Sequence, residues 1–455
     1  MPDDWTNVRD CGTVQTPWGE VAHLRGARLH AGQQPCSRAE TERHQRERLF
    51  AGTVAAVAER GGYSATRVTD IARLSGVARA DLYRLFGSRE GCFLATVDDL
   101  HACARRRVRL AYEEEDEWEP AIGAAFGALV ELTVAQPAAT RMAVVNAYEA
   151  GPAGAERIDR ASLAYERLLR ESISRCPRRA GLPDGVLAAL VGAAQMLIHD
   201  RLRTGRPAEL VALVDDTLAW ALRYETPPDE LRRPPGPLAD PEPTDRDAPR
   251  ERLLRAIASV ASEDGVHELT VGKVVARARA SKRTFYRHFS DREDAFLDCF
   301  DLVRERTLAA ARAAFELAMP DWPRAVRAAL EAIFAYLASE PDFARVAFVE
   351  ILAGGPRALA RRDEAVKQFT ELFEPGLTRT PELHPATGEM IVFGLYSLAR
   401  RQIVRHGPAT LPRIGPTAHY FGLAPFVGAE RATTIANGAP AGPAASHADV
   451  TASVA

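Results

Sequence analysis

Residues 62–94 read GYSATRVTDIARLSGVARADLYRLFGSREGCFL, and residues 265–297 read GVHELTVGKVVARARASKRTFYRHFSDREDAFL. Each stretch has a short apolar-patterned helix, a tight turn, and a second short helix that ends in aromatic residues. This order is typical of a helix-turn-helix, whose second helix fits the major groove of DNA. The sequence therefore predicts two groove-sized helices in one chain.

The two stretches belong to a repeat that extends through most of the chain. At an offset of 203 residues, identical residues coincide at Val57 and Val260, Gly62 and Gly265, Tyr83 and Tyr286, Phe86 and Phe289, and Arg89 and Arg292. After an insertion of one residue, Trp118 coincides with Trp322, Pro137 with Pro341, and Gly151 with Gly355. A register kept over so many positions indicates duplication of a unit of about 200 residues, a common domain size.

Composition marks the segments outside the repeat. Residues 226–249 are crowded with proline and poor in apolar residues, which predicts an extended linker. Residues 1–36 show no sustained period and residues 437–455 are rich in Ala, Gly, Ser and Pro, so both ends are expected to be disordered. Between these segments the sequence predicts a first head at 37–97, a first helical body at 98–225, a second head at 250–300 and a second helical body at 301–436.

Helix signals dominate the remaining sequence. Ser37 and Glu40 have the spacing of a capping box, and Asp247 and Pro249 are start signals for the first helix of the second copy. Strand-like alternation bounded by turns is absent from the pattern. The predicted fold class is all-α, with two tandem units that each carry a three-helix head and a helical body.

Overall composition limits the possible functions. The 455 residues are 46% hydrophobic and 26% charged, which is ordinary for a soluble globular protein. The sequence has neither a long apolar run nor a secretory signal, so we expect no membrane span and a cytoplasmic location. The net charge of −3 excludes a protein that coats nucleic acid with its whole surface, but it is compatible with a local DNA-binding face.

Signs of enzyme chemistry are missing from the sequence. The six cysteines form no C-x-x-C pair and are expected to be small hydrophobic residues rather than metal ligands or redox sensors. The sequence contains no phosphate-binding loop, dinucleotide fingerprint, zinc-protease motif or nucleophile elbow. We therefore expect a protein that is not an enzyme, with no catalytic residue, no cofactor and no metal.

The heads resemble the N-terminal domain of the TetR family of bacterial regulators. The resemblance rests on the spacing of a Gly, a Thr, an apolar pair, a turn, a Tyr-x-x-Phe motif and an acidic residue. The first copy keeps Gly62, Thr66, Val68, Ile71, Ala72, Gly76, Val77, Tyr83, Phe86, Ser88 and Glu90, and the second keeps Gly265, Thr270, Val271, Ser281, Thr284, Phe285, Tyr286, His288, Phe289 and Glu293. It covers the heads well and the bodies only in helical layout.

Residue type separates the core of each head from its candidate DNA contacts. Core positions are Ile71, Val77, Leu82 and Phe86, with Val274, Ala280, Phe285 and Phe289 in the second copy. The candidate DNA contacts are Thr270, Ser281, Lys282, Arg283, Thr284, Tyr286, Arg287, His288 and Arg292, and in the first copy Thr66, Arg67, Arg79, Asp81, Tyr83, Arg84 and Arg89. The resemblance implies that the two tyrosine hydroxyls contact backbone phosphates.

The two heads differ in charge. Residues 279–292 contain five basic residues and one acid, whereas residues 76–89 contain three basic residues and one acid. An acid such as Asp81 is unfavourable near phosphate, although it can accept a hydrogen bond from cytosine. We expect the second head to be the stronger DNA contact. Arg279 counts against this prediction, because it replaces the turn glycine Gly76 and would be strained at a positive φ.

The resemblance also implies that each body holds an inducer pocket and, in its last two helices, a dimer face. The candidate helix pairs are 184–203 with 207–223, and 386–405 with 412–435. The candidate pocket residues are Trp118, Phe126, Met142, Tyr148, Tyr165, Trp322, Phe334, Tyr336, Phe348 and Phe369. Ordinary core packing is the competing interpretation of these residues. The dimer faces would pair within one chain, as a pseudo-dimer, or between two chains of a homodimer.

The sequence thus predicts a regulator that binds a double-stranded DNA operator and is released by an unidentified small-molecule effector, most simply as a repressor. The alternative is an interaction or ligand-sensing module in which one head, the first, no longer binds DNA. A second alternative, an enzyme built on a helical body, lacks any catalytic motif to support it.

Overall fold

The computed structural model describes residues 38–232 and 248–438, together with the backbone of residues 13–16 and 19–22. Apart from one hairpin, the regular structure of these residues is helical. The predicted all-α class is confirmed. The N-cap Ser37, the start signal Asp247, most of the predicted linker and the tail after residue 438 lie outside the described residues.

The hairpin corrects the expectation for residues 1–36. Strands β1 (Thr13–Thr16) and β2 (Gly19–Ala22) pair antiparallel, with Thr13 opposite Ala22 and Thr16 opposite Gly19. Each strand has only four residues, which is too few for an alternation of apolar and polar residues to reveal it in the sequence.

Ten helices follow in the first half of the chain. They are α1 (Arg38–Arg60), α2 (Val68–Ser75), α3 (Arg79–Phe86), α4 (Arg89–Glu113), α5 (Trp118–Ala135), α6 (Pro137–Val144), α7 (Gly151–Ile173), α8 (Asp184–Arg203), α9 (Glu209–Ala212) and α10 (Val214–Ala221). Helix α4 begins where the Ser88 hydroxyl accepts the backbone N–H of Gly91 at 2.9 Å, which caps the first turn.

Besides four short 3-10 segments, the described second half contains eleven α-helices. They are α11 (Pro249–Asp264), α12 (Val271–Arg277), α13 (Lys282–His288), α14 (Arg292–Ala318), α15 (Trp322–Ser339), α16 (Pro341–Phe348), α17 (Gly355–Thr370), α18 (Glu374–Arg379), α19 (Thr387–His406), α20 (Gly415–Val427) and α21 (Ala429–Asn437). Pro249 occupies the first turn of α11, as its start signal predicts. The order of α11 to α16 follows that of α1 to α6, and the lengths agree closely from α2 and α12 onward, whereas α1 has 23 residues and α11 has 16.

The chain divides into two compact units. Unit 1 comprises residues 1–172 and 197–215, and unit 2 comprises residues 173–196 and 216–455. This division differs from the predicted one at the proline-rich segment, because two segments of the predicted first body belong to unit 2. Helix α8 therefore contributes its first part to unit 2 and its last part to unit 1.

Unit 1 contains the first head. Its core is formed by Leu49 and Ala56 of α1, Ile71 of α2, Val77 in the turn, and Leu82 of α3, with Phe86 packed against them. The predicted core positions of this head are confirmed, with Phe86 half-buried rather than buried. Apolar spacing on α1 and on the two short helices α2 and α3 thus fixes the orientation of α3 relative to α1 and α2.

Unit 2 contains the second head, whose predicted core is also confirmed. Val274, Phe285 and Phe289 are buried, and Ala280 is half-buried. The rings of Phe285 and Phe289 lie 5.2 Å apart between centroids, so the aromatic end of α13 anchors that helix to the head.

Unit 2 also contains a close crossing of α8 with α19 and α20. A Cβ atom on Gly192 would lie 2.7 Å from Ser397 Oγ, and one on Gly394 would lie 2.9 Å from the Ala189 carbonyl oxygen. Both glycines are therefore needed for the helices to approach this closely. Segments from the two halves of the sequence share one core here.

Two tyrosines form hydrogen bonds across that core. The Tyr224 hydroxyl donates to the Phe421 carbonyl at 2.8 Å, and the Tyr420 hydroxyl donates to the Glu225 carbonyl. Tyr224 also stacks on the Phe421 ring with centroids 5.1 Å apart. Both tyrosines are fully buried, and burial raises the pKa of each hydroxyl well above its usual value.

Length and composition make α8 a candidate membrane span, which the sequence did not suggest. Of its apolar stretch, 78% is buried inside the protein, as in the core helix of a globular domain. Helices α5 and α6 together are also long and apolar enough to cross a membrane, but they meet at a bend of 109°. Both results are weak evidence for a membrane segment.

Candidate nucleic-acid interface

The second helix of head two presents an uncompensated cationic surface. Lys282, Arg283 and Arg287 are exposed on α13, and none of them forms an ion pair with the residues that the structure describes. Tyr286 lies on the same helix with 58% of its surface exposed. These four side chains are free to contact a ligand from solvent.

The start of α13 is rigid because its N-cap is satisfied. Ser281 Oγ accepts the backbone N–H of Thr284 at 3.0 Å and lies 2.9 Å from the Thr284 hydroxyl. Thr270 caps α12 in the same way, through the N–H of Lys273 at 3.3 Å. Both caps are exposed, and His288 at the other end of α13 is half-buried beside the Phe289 ring.

Head one offers fewer free charges. Arg84 of α3 donates to Glu42 Oε1 at 2.7 Å, to Gln45 Oε1 at 2.8 Å and to Asp81 Oδ1 at 3.2 Å. Hydrogen bonds from Arg38 and Arg84 hold the pKa of Glu42 below its usual value. The cation of Arg84 is therefore already neutralised inside the head.

The other predicted DNA contacts of head one differ in their exposure to solvent. Arg67 and Arg79 are exposed, and Tyr83 is 51% exposed. Thr66 is buried, with its hydroxyl donating to the Gly62 carbonyl at 2.7 Å. The prediction of Thr66 as a DNA contact is at odds with this burial, because the side chain is enclosed in the head.

Arg89 and Arg292 occupy equivalent positions and make the same internal contact. Arg89 donates to the Thr66 carbonyl at 2.6 Å, and Arg292 donates to the Leu269 carbonyl at 3.0 Å. Each arginine thus holds the loop before α2 or before the equivalent helix α12. Arg89 also covers the Tyr63 ring, whereas Arg292 remains exposed.

The turn between α12 and α13 carries backbone strain. Arg279 has φ 50°, in the left-handed region, and the equivalent Gly76 has φ 64°. The turn therefore has the positive φ at which the sequence predicts strain for Arg279. A residue with a Cβ costs roughly 1–2 kcal/mol in this region, which glycine avoids.

Unit 2 contains an apolar cavity of about 100 Å³ in the second body. Three candidate pocket residues, Phe334, Phe348 and Phe369, line it. Trp322 and Tyr336 do not line it: the Trp322 indole N–H donates to the Leu372 carbonyl at 2.9 Å within the core. The lining includes Arg304 and Arg362, which the sequence interpretation missed because it searched only for aromatic and soft residues.

The two arginines are tied into the cavity wall. Arg304 donates to Gln368 Oε1 at 2.9 Å, and Arg362 donates to Asp363 Oδ1 at 2.9 Å. Tyr396 also lines the cavity, where its ring stacks on Phe348 with centroids 4.8 Å apart. Its hydroxyl donates to the Phe348 carbonyl at 3.2 Å.

The candidate pocket residues of the first body differ in burial. Met142 and Tyr148 are buried, and Tyr165 packs against the cluster of Val108 and Tyr112. Burial raises the pKa of Tyr165 to about 12. Trp118 and Phe126 are half-buried.

Each head is joined to its body by a glutamate. Glu350 Oε2 accepts the backbone N–H of Val266 at 3.0 Å, and Glu149 Oε2 accepts the backbone N–H of Ser64 at 2.9 Å. Burial raises the pKa of Glu350, which is enclosed between head and body. Glu350 follows the cavity-lining Phe348 by two residues.

Comparison with known proteins agrees with the geometry of the heads. Residues 53–96 and 253–299 match the sequence model described as bacterial regulatory proteins, tetR family. The chain is 25% identical over 154 residues to the HTH-type transcriptional activator FasR of Mycolicibacterium smegmatis, covering 34% of this chain and 70% of that protein.

Two solved structures are similar to part of the chain. The fatty acid degradation regulator FadR of Bacillus halodurans shares 18% identity at a TM-score of 0.35, covering 40% of this chain and 97% of that one. FadR of Bacillus subtilis, solved in complex with stearoyl-CoA, shares 17% identity at the same TM-score and covers 38% of this chain and 96% of that one. Both heads match the tetR-family sequence model, and the sequence matches support a DNA-binding transcriptional regulator.

Proposed function

We propose that this chain is a tetR-family transcriptional regulator in which a complete head-and-body unit is duplicated. The observation that carries the proposal is the exposed, unpaired cationic set of Lys282, Arg283 and Arg287 on α13. Arginine and lysine on a helix of this size bind guanine edges and phosphates in the major groove. The two matches to the family model support the same function for both heads.

The second head provides the principal contact in this proposal. Ser281, Thr284 and Tyr286 flank its cations, and Thr270, His288 and Arg292 lie at the borders of the same surface. In the first head, Arg67, Arg79 and Tyr83 remain available, while Asp81 and Arg84 compensate each other. The rival interpretation, a first head that no longer binds DNA, is favoured by that compensation and is decided by the experiments below.

The chain acts as an intramolecular pseudo-dimer. This arrangement is supported by the crossing of the first part of α8 with α19 and α20 and by the tyrosine contacts beside it, because these segments of both halves lie in one core of unit 2. Such a core is what the dimer faces of two separate tetR-type chains would otherwise form. One chain then carries the two heads that an operator requires.

The effector binds the cavity of the second body. Its lining of phenylalanine and aliphatic side chains suits an apolar small molecule or the apolar part of a larger one. Phe348 lines the cavity and lies two residues before Glu350, so a ligand that displaces Phe348 would also move Glu350 and the head loop that it holds at Val266. DNA affinity then falls because the ligand favours a different arrangement of the head.

The expected consequence of DNA binding is repression in the cytoplasm, relieved by the effector. The relative FasR is named an activator, so the direction of control depends on where the operator lies relative to the promoter. A reporter gene under the chain's own upstream region distinguishes the two: repression predicts higher expression when the protein is removed.

A mobility-shift titration tests DNA binding. The full chain is titrated against duplex DNA from its own upstream region and against a scrambled duplex, at several salt concentrations. We expect specific binding whose affinity falls steeply with salt, because phosphate contacts release counterions. Light scattering of the complex should give one chain per operator. Absence of specific binding at low salt overturns the proposal, and two chains per operator overturns the pseudo-dimer.

A ligand titration tests the effector site. A small neutral ring compound such as benzene should raise the melting temperature, because a ligand that binds only the folded state stabilises it. Engineered apolar cavities of about 150 Å³ bind benzene. Ala399→Phe fills the cavity and should abolish the shift, while the smaller Ala399→Val should reduce it. An unchanged shift in both variants places the ligand elsewhere.

A further inference from the structure

The recognition surfaces of the two heads are not equivalent. At the 203-residue offset, α3 and α13 share tyrosine at Tyr83 and Tyr286 and arginine at Arg84 and Arg287. They differ in kind where Ala80 corresponds to Arg283 and where Asp81 corresponds to Thr284. These positions lie in the first turn of each helix, which is the part that contacts base edges in this motif.

The differing residues favour different bases. The Arg283 guanidinium can donate two hydrogen bonds to guanine O6 and N7, whereas Ala80 offers only a methyl group. The Asp81 carboxylate can accept a hydrogen bond from cytosine N4, whereas Thr284 is uncharged and bonded to Ser281. One head therefore selects guanine at a position where the other has no donor.

The shared arginines also differ in whether neighbouring acids compensate their charge. Arg84 is bound to Asp81 and Glu42, at 3.2 and 2.7 Å, whereas Arg287 forms no ion pair with any residue in the described part of the chain. The same side chain at equivalent positions thus presents a compensated charge in one head and a free charge in the other. The heads differ in affinity as well as in base preference.

We propose that the operator of this chain is asymmetric, with a guanine-selecting half-site bound by the second head and an unlike half-site, containing cytosine opposite Asp81, bound by the first. The inference rests on the proposed function. Palindromic operators reflect identical heads related by a two-fold axis. A covalent pair of unlike heads removes that constraint, because every bound molecule presents both surfaces.

Selection from random duplex DNA by the full chain tests the inference. The enriched sequence should contain two half-sites that are not inverted copies of each other. Arg283→Ala should lower affinity for the selected duplex about tenfold and relax the guanine preference in one half-site only. The double variant Ala80→Arg with Asp81→Thr gives α3 the differing residues of α13, and its selected sequence should shift toward an inverted repeat.

The possible failures are distinguishable. A palindromic sequence selected by the unmodified chain overturns the asymmetric operator while leaving the proposed function intact. A single selected half-site overturns the assignment for the first head. Failure to enrich any sequence overturns both this inference and the proposed function.

Discussion

Tyr224 and Tyr420 are bonded reciprocally: each hydroxyl donates to the carbonyl of the residue that follows the other tyrosine. The two residues come from different halves of the sequence and are both fully buried. Since the hydroxyls have no access to water, the two hydrogen bonds hold the shared core in one arrangement.

Removing either hydroxyl should destabilise unit 2. Tyr224→Phe leaves the Phe421 carbonyl without this donor, and we expect a loss of about 1–2 kcal/mol in the free energy of unfolding. Tyr420→Phe should act similarly, and the double variant should show a loss that is not the sum of the two, because the bonds share one interface. Denaturant titration measures all three. Strict additivity would contradict the coupling.

Loss of the Glu350 carboxylate should loosen the second head. Glu350→Ala leaves the Val266 N–H without its acceptor, and we expect a loss of about 1–3 kcal/mol. Glu350→Gln keeps a carbonyl oxygen and should lose less. Hydrogen exchange of the Val266 amide reports the contact directly and should be faster in the alanine variant. Glu149→Ala is the matched control, which should affect Ser64 and leave Val266 protected.

Alanine substitutions should affect DNA affinity unequally in the two heads. Lys282→Ala with Arg283→Ala removes two free cations, so affinity should fall more than tenfold and the salt dependence should weaken. Arg79→Ala removes one cation of the partly neutralised head and should have a smaller effect. Mobility-shift titration measures both variants. Equal affinity of the two would refute the leading role of the second head.

Glycine should stabilise the turn at residue 279. Arg279→Gly relieves the positive φ, and we expect a gain of about 1 kcal/mol in the free energy of unfolding. Arg279→Ala removes the charge but keeps the Cβ atom, so it should bring no such gain. Thermal and denaturant unfolding measure both. A stabilising effect of alanine equal to that of glycine would show that charge, rather than backbone strain, is responsible.

Acid should destabilise the protein through two buried histidines. Burial lowers the pKa of His101 to about 4 and that of His419 to about 3, with nearby Arg105 and Arg327 acting in the same direction. The unfolded chain therefore binds more protons below about pH 6.5, and stability falls as pH falls through this range. Each histidine contributes at most about 1.4 kcal/mol per pH unit.

Glutamine variants test this pH dependence. His101→Gln and His419→Gln should each reduce the difference in unfolding free energy between pH 7 and pH 5, whatever their effect at neutral pH. The same change at the exposed His267 is the control. An unaltered pH dependence in both buried variants would mean that other groups cause the acid sensitivity.

The heads could be predicted from sequence because their signals are local. Turn residues, apolar spacing and a duplicated register predicted helices α2, α3, α12 and α13 and the core around Leu82 and Phe285. The alignment of Arg279 with Gly76 also marked the position where a positive φ would strain the backbone. Each of these features depends on residues that are close in the sequence, so a single sequence is enough to predict it.

The shared core and the cavity could not be predicted in the same way. The aromatic character of Tyr224 and Phe421 indicates burial but names no partner, so pairing within a chain and between chains remained equal alternatives. Arg362 is charged and was not considered as a cavity residue, although its partner Asp363 makes burial possible. Trp322 was predicted as a pocket residue, but it packs in the core beside the cavity, where its indole N–H donates to the Leu372 carbonyl.

The division of the chain between two units has a consequence during synthesis on the ribosome. Unit 1 contains no residue between 216 and the end of the chain, whereas the Phe421 ring that contacts both Trp220 and Tyr224 arrives only with α20, near the end of translation. For that interval two large aromatic side chains have no core to enter, and nascent chains with exposed apolar surface are prone to aggregate. Chaperone capture should therefore peak after the first half has emerged and end once residue 427 leaves the exit tunnel.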